Sequence, residues 1–368
     1  MAFSILKRGR KADDGPTFKT RTGQFWDWYA VEAEHLRGAI NSGEAVAIGA
    51  TVSARVHEFM PGFGWHFGPG AGSDEHSFTL TAEGDAHRQL LTRHWKSRAP
   101  TIPDWTFHAW TQPKRNIQHA MMRLGGREVM LGDYAVAPEV DDEGEIVHVE
   151  AWHPAAHEMG HEQATLFLFH ALDGVLGELG TEQWLGGIEM VPERPDGSMP
   201  IGDLPRFLAD LAAKTGWIKS EPGELEVGYK PPETDVSFRR SDTTIGRTRH
   251  MKLIEQHFGS ADRIEDPFPG LGAAFVWADI GLIHFPKGDE VAARRHVEDA
   301  LEGALGSAGS GFVLGSAFSR TRAYIDVLIY DGQAALDAIE NVLRERNVAR
   351  GARIEPFVKS AWRARSLD

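Results

Sequence analysis

From Ala273 to Val358 the hydrophobic repeat alternates between two residues and 3.6 residues, and this alternation constrains the fold more than any other feature of the chain. Ala273–Ala278 reads as a strand, Asp289–Leu305 as a helix and Gly311–Phe318 as a strand. Tyr324–Tyr330 reads as a further strand, Ala334–Arg346 as a helix and Ala352–Val358 as a last strand. The link Ser319-Arg-Thr-Arg322 has hairpin length, so the two middle strands pair with each other. The order β-α-β-β-α-β is the ferredoxin-like arrangement. It is a superfold that carries many unrelated activities, and it assigns none by itself.

The upstream chain is also mixed. Phe25, Trp28, Tyr29, Ala33, Leu36 and Ile40 have helical spacing, closed by the turn residues Asn41-Ser-Gly43. A second helix follows to Phe59, then strands at Gly64–Phe67 and Ser77–Thr81, a helix from Asp85 to Lys96 and a strand at Thr106–Thr111. This is an αββαβ order. Between Ile117 and Pro154 the pattern is strand-like, with Asp141-Asp-Glu-Gly-Glu145 as a hairpin tip. A helix apolar on nearly every side spans Ala155–Leu179, and a strand near Gly187–Val191 and a helix at Leu204–Thr215 follow. Pro222, Pro231 and Pro232 mark 218–235 as a linker. The expectation is an α+β chain of two-layer α/β sandwiches. It has a disordered basic arm over 1–22, an N-terminal domain with the αββαβ unit over 23–217, and a C-terminal ferredoxin-like domain over 236–368.

Charge narrows the function classes. The chain has 39 Lys/Arg against 53 Asp/Glu, net −14, while residues 1–22 and 344–368 each carry +4, which leaves −22 for 23–343. An acidic body argues against nucleic-acid binding, which needs a basic face. It suits a basic protein partner, and equally plain solubility through like-charge repulsion. Zero cysteines remove disulfides, thiolate metal sites and cysteine nucleophiles together. The N-terminus has its basic cluster after a short apolar stretch, the reverse of a signal peptide, and no stretch approaches the ~18 to 20 apolar residues of a membrane span. A cytoplasmic protein with no membrane contact is expected.

Leu172-Asp-Gly-Val-Leu-Gly-Glu178 and Gly64-Trp-His-Phe-Gly-Pro-Gly70 resemble segments of uncharacterised bacterial protein families. The C-terminal third is similar to small ferredoxin-like modules of bacterial regulators. This resemblance covers the order of elements over 23–360, and it implies the fold but no assigned activity.

One motif carries chemistry. His157-Glu158-Met159-Gly160-His161 matches H-E-x-x-H. On a helix, residues i and i+4 share a face, so His157 and His161 can ligate one zinc ion while Glu158 acts as general base on its bound water. A zinc hydrolase needs a third protein ligand. Glu178 lies 17 residues beyond His161, which on an unbroken helix is ~25 Å along the axis. Glu162 follows the second histidine where zincins place an uncharged residue, and Gly160 costs about 1 kcal/mol of helix stability. His153, before Pro154, reads as a cap rather than a ligand. The alternative reading is the polar start of a buried helix.

Other features have bland readings beside sharp ones. Eight of 11 tryptophans fall within 26–184, as a ligand groove or as ordinary core. The stretch Arg239–Arg249 is the basic patch of the acidic body, as an anion site or as internal Arg–carboxylate pairs. No P-loop and no G-x-S-x-G elbow occur. The function expected is non-enzymatic: a binding or regulatory protein acting through protein–protein contact, without a cofactor. The alternative is a zinc-dependent hydrolase using His157, Glu158 and His161.

Overall fold

The computed structural model describes residues 15–70, 72, 75–114, 119–124, 127–155, 160–359 and 364–367. Thr17 caps the first helix, α1 (Phe18–Asn41), by accepting the Thr20 N–H on its hydroxyl. Next come α2 (Ala45–Phe59), β1 (Gly64–Pro69), β2 (His76–Thr81), α3 (Ala86–Ser97) and β3 (Trp105–His108). β4 (Met121–Leu124) and β5 (Arg127–Met130) form one hairpin, and β6 (Ala135–Asp141) and β7 (Ile146–Trp152) another. α4 (His161–Trp184), β8 (Leu185–Met190), β9 (Met199–Pro200) and α5 (Leu204–Thr215) follow. The last third holds β10 (Val227–Tyr229), β11 (Ile245–Thr248), α6 (Met251–Gly259), β12 (Ala274–Gly281) and α7 (Glu290–Ala308). It ends with β13 (Gly311–Phe318), β14 (Arg322–Ile329), α8 (Gly332–Glu345), β15 (Ala352–Pro356) and β16 (Arg365–Leu367). The class is α+β. No described helix is long and apolar enough to cross a membrane.

Contacts divide the chain into two units. The first comprises the described residues of Met1–Gly62, Ala86–Ile102 and Pro222–Asp368, and the second those of Phe63–Asp85 and Pro103–Glu221.

In the first unit a seven-stranded sheet has the order β10-β11-β13-β14-β12-β15-β16, antiparallel throughout. Its middle, β13-β14-β12-β15 with α7 and α8, is the βαββαβ order expected from the sequence. Strand alternation sets the two faces. Ile325, Val327 and Ile329 point to the helices, where they join Val276, Ile280, Leu301, Leu305, Ile339 and Leu343 in one core. On α8 the buried Ala335, Leu336, Ile339, Val342 and Leu343 repeat at helical spacing, and each buried large aliphatic side chain contributes about 1.5–3 kcal/mol of transfer free energy. The alternate residues line a second, aromatic layer. Phe275 meets His87 of α3, Trp277 meets His257 of α6, and Tyr330 stacks on His94 of α3. Further from the sheet, Trp26 of α1 stacks on Trp95 with ring centroids 4.5 Å apart and donates its indole N–H to the Trp95 carbonyl. Here the tryptophans form core.

Helical structure begins inside the stretch expected as a disordered arm. Phe18 is fully buried and donates its N–H to Gly272 O, so the Thr17 cap starts α1 at residue 18, while residues 1–14 lie outside the described residues.

In the second unit β1, β2 and β3 form a three-stranded sheet, with β2 and β3 parallel. A four-stranded sheet of order β8-β7-β6-β9 packs Val136, Val147 and Val149 against Phe167, Leu168 and Leu172 of α4 and Leu204 and Leu208 of α5. The acidic turn sits where the sequence places it: Asp141 Oδ1 accepts the N–H groups of Glu143 and Gly144. α4 is less buried than its composition suggests, because Leu166 and Phe169 are 45% and 41% exposed. The αββαβ order of residues 45–108 is present, with α2 and α3 in the first unit and β1–β3 in the second. The boundary after Glu221 falls in the proline-marked stretch, part of which forms the edge strand β10.

Candidate functional site

His157 and Glu158 lie outside the described residues, while His161 is the first residue of α4. Gly160 caps the helix with extended backbone (φ −65°, ψ 152°), and glycine is an acceptable residue there. The i, i+4 argument needs one helical turn through both imidazoles, whereas the described helix begins at the second of them. His153 is 3% exposed and has both nitrogens engaged. Its Nδ1 accepts the Ala155 N–H and its Nε2–H donates to Met130 O. Burial lowers its pKa, so it is a neutral imidazole tying Ala155 to Met130, and it caps no described helix. Among the described residues, no three His, Asp or Glu side chains come together as a metal-binding group.

Glu178 has a structural role that its spacing from His161 does not reveal. α4 breaks at Gly177 (φ 74°, ψ 166°), roughly 24 Å along the axis from His161 at 1.5 Å per residue. The chain after β3 docks into the break: Glu178 donates its N–H to Thr111 O at 2.9 Å, and Lys114 donates to Gly174 O at 2.7 Å. A side chain at 177 would put its Cβ 2.9 Å from Thr111 O and 2.8 Å from Pro113 Cδ, so glycine is required there. The buried Glu178 carboxylate then accepts three hydrogen bonds, from Thr81 Oγ1 (2.5 Å), Gly84 N (3.1 Å) and Thr111 N (3.1 Å). Both of its oxygens are in use.

The arginine patch resolves into internal pairs. Arg239 holds Asp262 at 2.7 and 2.8 Å and also reaches Glu355. Arg240, 1% exposed, grips the fully buried Asp326 at 2.6 and 3.3 Å and lies over the rings of Trp277, Tyr324 and Phe357. Arg247 pairs with Glu226 and Glu298, and Arg249 with Glu302. A cavity of about 330 Å³ among Arg247, Arg249, Glu298 and Glu302 is therefore already charge-compensated. Nearby, buried histidines pair with neutral groups. His87 Nε2–H donates to Gln256 Oε1 (2.8 Å), so its Nδ1 accepts from His250 Nε2–H (2.6 Å). Burial, then the neighbouring His87, lowers the His250 pKa to about 3.

The net charge is carried by one unit. The segments Phe63–Asp85 and Pro103–Glu221 hold 24 Asp/Glu and eight Lys/Arg, net −16, whereas the rest of the chain holds 29 and 31, net +2. In the four-stranded sheet Val147, Val149 and Ala151 point inward, so the alternate residues form an outer face. Glu139 lies opposite His148, Ala137 opposite Glu150, and Glu150 beside Glu189. Glu139, Glu150 and Glu189 are exposed, as are Asp142, Glu143 and Glu145 at the hairpin tip. None of these six forms an ion pair among the described residues. The periodicity and the charge run of the hairpin were readable from sequence, but the pairing that sets Glu189 beside Glu150 was not.

Comparisons with protein-family models, with curated proteins and with solved structures gave no match.

Proposed function

We propose that the protein is a non-enzymatic binding or regulatory protein that engages a basic protein partner through its second unit. The observation that carries this reading is the segregation of −16 charge into that unit, with unpaired carboxylates on the outer face of its four-stranded sheet. Like charges on neighbouring strands cost roughly 0.2–1 kcal/mol per pair, and a basic surface laid across them would relieve that cost while steering association. The cytoplasmic setting expected from the sequence belongs to the same reading. The zinc-hydrolase alternative, with His157 and His161 as ligands and Glu158 as base, gains nothing from the geometry. The described helix begins at His161, and both oxygens of the Glu178 carboxylate already accept hydrogen bonds.

The test is capture from host extract with the full chain and with the charge-reversed variant Glu139→Lys/Glu150→Lys/Glu189→Lys, followed by reconstitution from purified components. The reading expects one basic protein bound at fixed stoichiometry, weakened by salt and lost with the variant. A partner retained by the variant, or binding indifferent to salt, contradicts it.

A further inference from the structure

We propose that the first unit binds a small organic anion, a carboxylate or a phosphate ester, in a cavity of about 250 Å³ between α3 and the glycine-rich connection from α7 to β13. Arg93, His94 and Ser97 of α3 and Arg98 in the turn just after it line it on one side, and Phe312 and Tyr330 line it opposite. Positions 93, 94 and 97 fall on one face of α3. Gly306, Gly309 and Gly311 leave the rim without side chains. The lining holds two guanidinium groups and no carboxylate. This separates it from the compensated cavity beside Arg247.

Arg93 donates to Pro222 O (3.0 Å) and to Glu224 (3.3 Å), and its guanidinium lies 5.6 Å from the centre of the Phe312 ring. It is held in place by groups outside the lining. Arg98 is exposed, and its guanidinium has no hydrogen-bond or ion-pair partner among the described residues. His94 is 9% exposed, stacks on Tyr330 at 3.9 Å, and has a buried Nε2 without a hydrogen-bond partner. A buried polar atom left unpaired is costly, and the ring that carries it borders the cavity. Burial, then the charges of Arg98 and Lys19, keeps the imidazole neutral at physiological pH.

Both α3 and α7 end at this cavity, and helix C-termini disfavour anions. Their last carbonyls are, however, already capped. Ser97 Oγ–H donates to His94 O (2.7 Å), Gly309 N–H to Gly306 O (3.0 Å) and Ser310 N–H to Leu305 O (2.9 Å). The volume lies below the ~300–1,000 Å³ that takes a drug-sized ligand, so the occupant is metabolite-sized, with an apolar part against Phe312 and its charge toward Arg98.

The test uses the full chain with phenyl phosphate and benzoate as probes and neutral benzamide as control. Calorimetry gives affinity, and the side-chain ¹⁵N resonances of His94 report the site. Saturable 1:1 binding of an anionic probe is expected, with a shift of the His94 Nε2 resonance, and the tighter of the two probes identifies carboxylate or phosphate as the preferred group. Arg98→Gln, at an exposed position, weakens binding at least about fivefold. Ser97→Trp, at the exposed end of α3, closes the cavity and abolishes binding. Benzamide binding as tightly as benzoate, unchanged affinity in Arg98→Gln, or no saturable binding up to about 10 mM overturns the proposal. This outcome is independent of the protein partner, which is assigned to the other unit.

Discussion

Replacing Arg240 with methionine leaves Asp326 buried without its counter-ion. The carboxylate is fully buried and loses contacts of 2.6 and 3.3 Å, and breaking such a pair costs about 3–5 kcal/mol. The variant has one escape, which is to protonate Asp326. Burial already raises this group's pKa and the Arg240 charge opposes that rise, so removing the arginine drives the pKa further up. Taking a proton at pH 7 against an unfolded pKa of about 3.9 costs about 4 kcal/mol, which caps the loss, and at pH 5 the same step costs only about 1.5 kcal/mol. The sign follows from linkage. In the variant the folded pKa lies above the unfolded one, so stability is full below about pH 4 and declines as pH rises. Relative to the parent, the destabilisation should therefore shrink, by at most about 2.5 kcal/mol, between pH 7 and pH 5. Native-state hydrogen exchange of peptides from β14 reads this within the first unit. Adding Asp326→Leu to Arg240→Met should recover most of the loss at pH 7, since an apolar pair can replace a buried ion pair. A loss below about 1 kcal/mol, or one that grows on acidification, refutes the reasoning.

Gly177→Ala should destabilise the second unit by about 1–3 kcal/mol in thermal unfolding, because a Cβ there meets Thr111 O at 2.9 Å; an unchanged melt would mean the helix break is dispensable. Burial lowers the pKa of His94 to about 4 and those of His250 and His257 to about 3. Their folded values lie below the unfolded value of about 6.5, so the stability they confer is full above that pH and is lost as pH falls toward the folded values, by up to roughly 1.4 kcal/mol per pH unit for each. In the folded protein their ring resonances should not titrate between pH 7 and pH 5, and a midpoint near 6.5 for any of them contradicts its placement.

The C-terminal βαββαβ series was legible because both periods are strong there and Ser319–Arg322 leaves room only for a hairpin. What spacing does not carry is which faces meet. The amphipathic face of α3 can pack on any sheet, and no local signal shows that it falls with β12–β15 rather than with β2 and β3 on either side of it in the chain. The break at Gly177 depends on Thr111 and Pro113, far upstream, so the sequence reads as a helix with a weak residue in it. The arginine patch was visible as composition, but its carboxylate partners, among them Glu226, Asp262, Asp326 and Glu355, lie 21 to 116 residues away. Gly160 reads in the sequence as a weak residue inside a helix from Ala155, whereas it stands before the helix start as its cap.

Zinc content measured on the purified full chain after expression with zinc supplied, for the parent and for His157→Ala, tests most directly whether this protein works by contact rather than by metal chemistry. The account predicts well under one equivalent in both, with no difference between them. One tightly held zinc per chain, lost in His157→Ala, would contradict it.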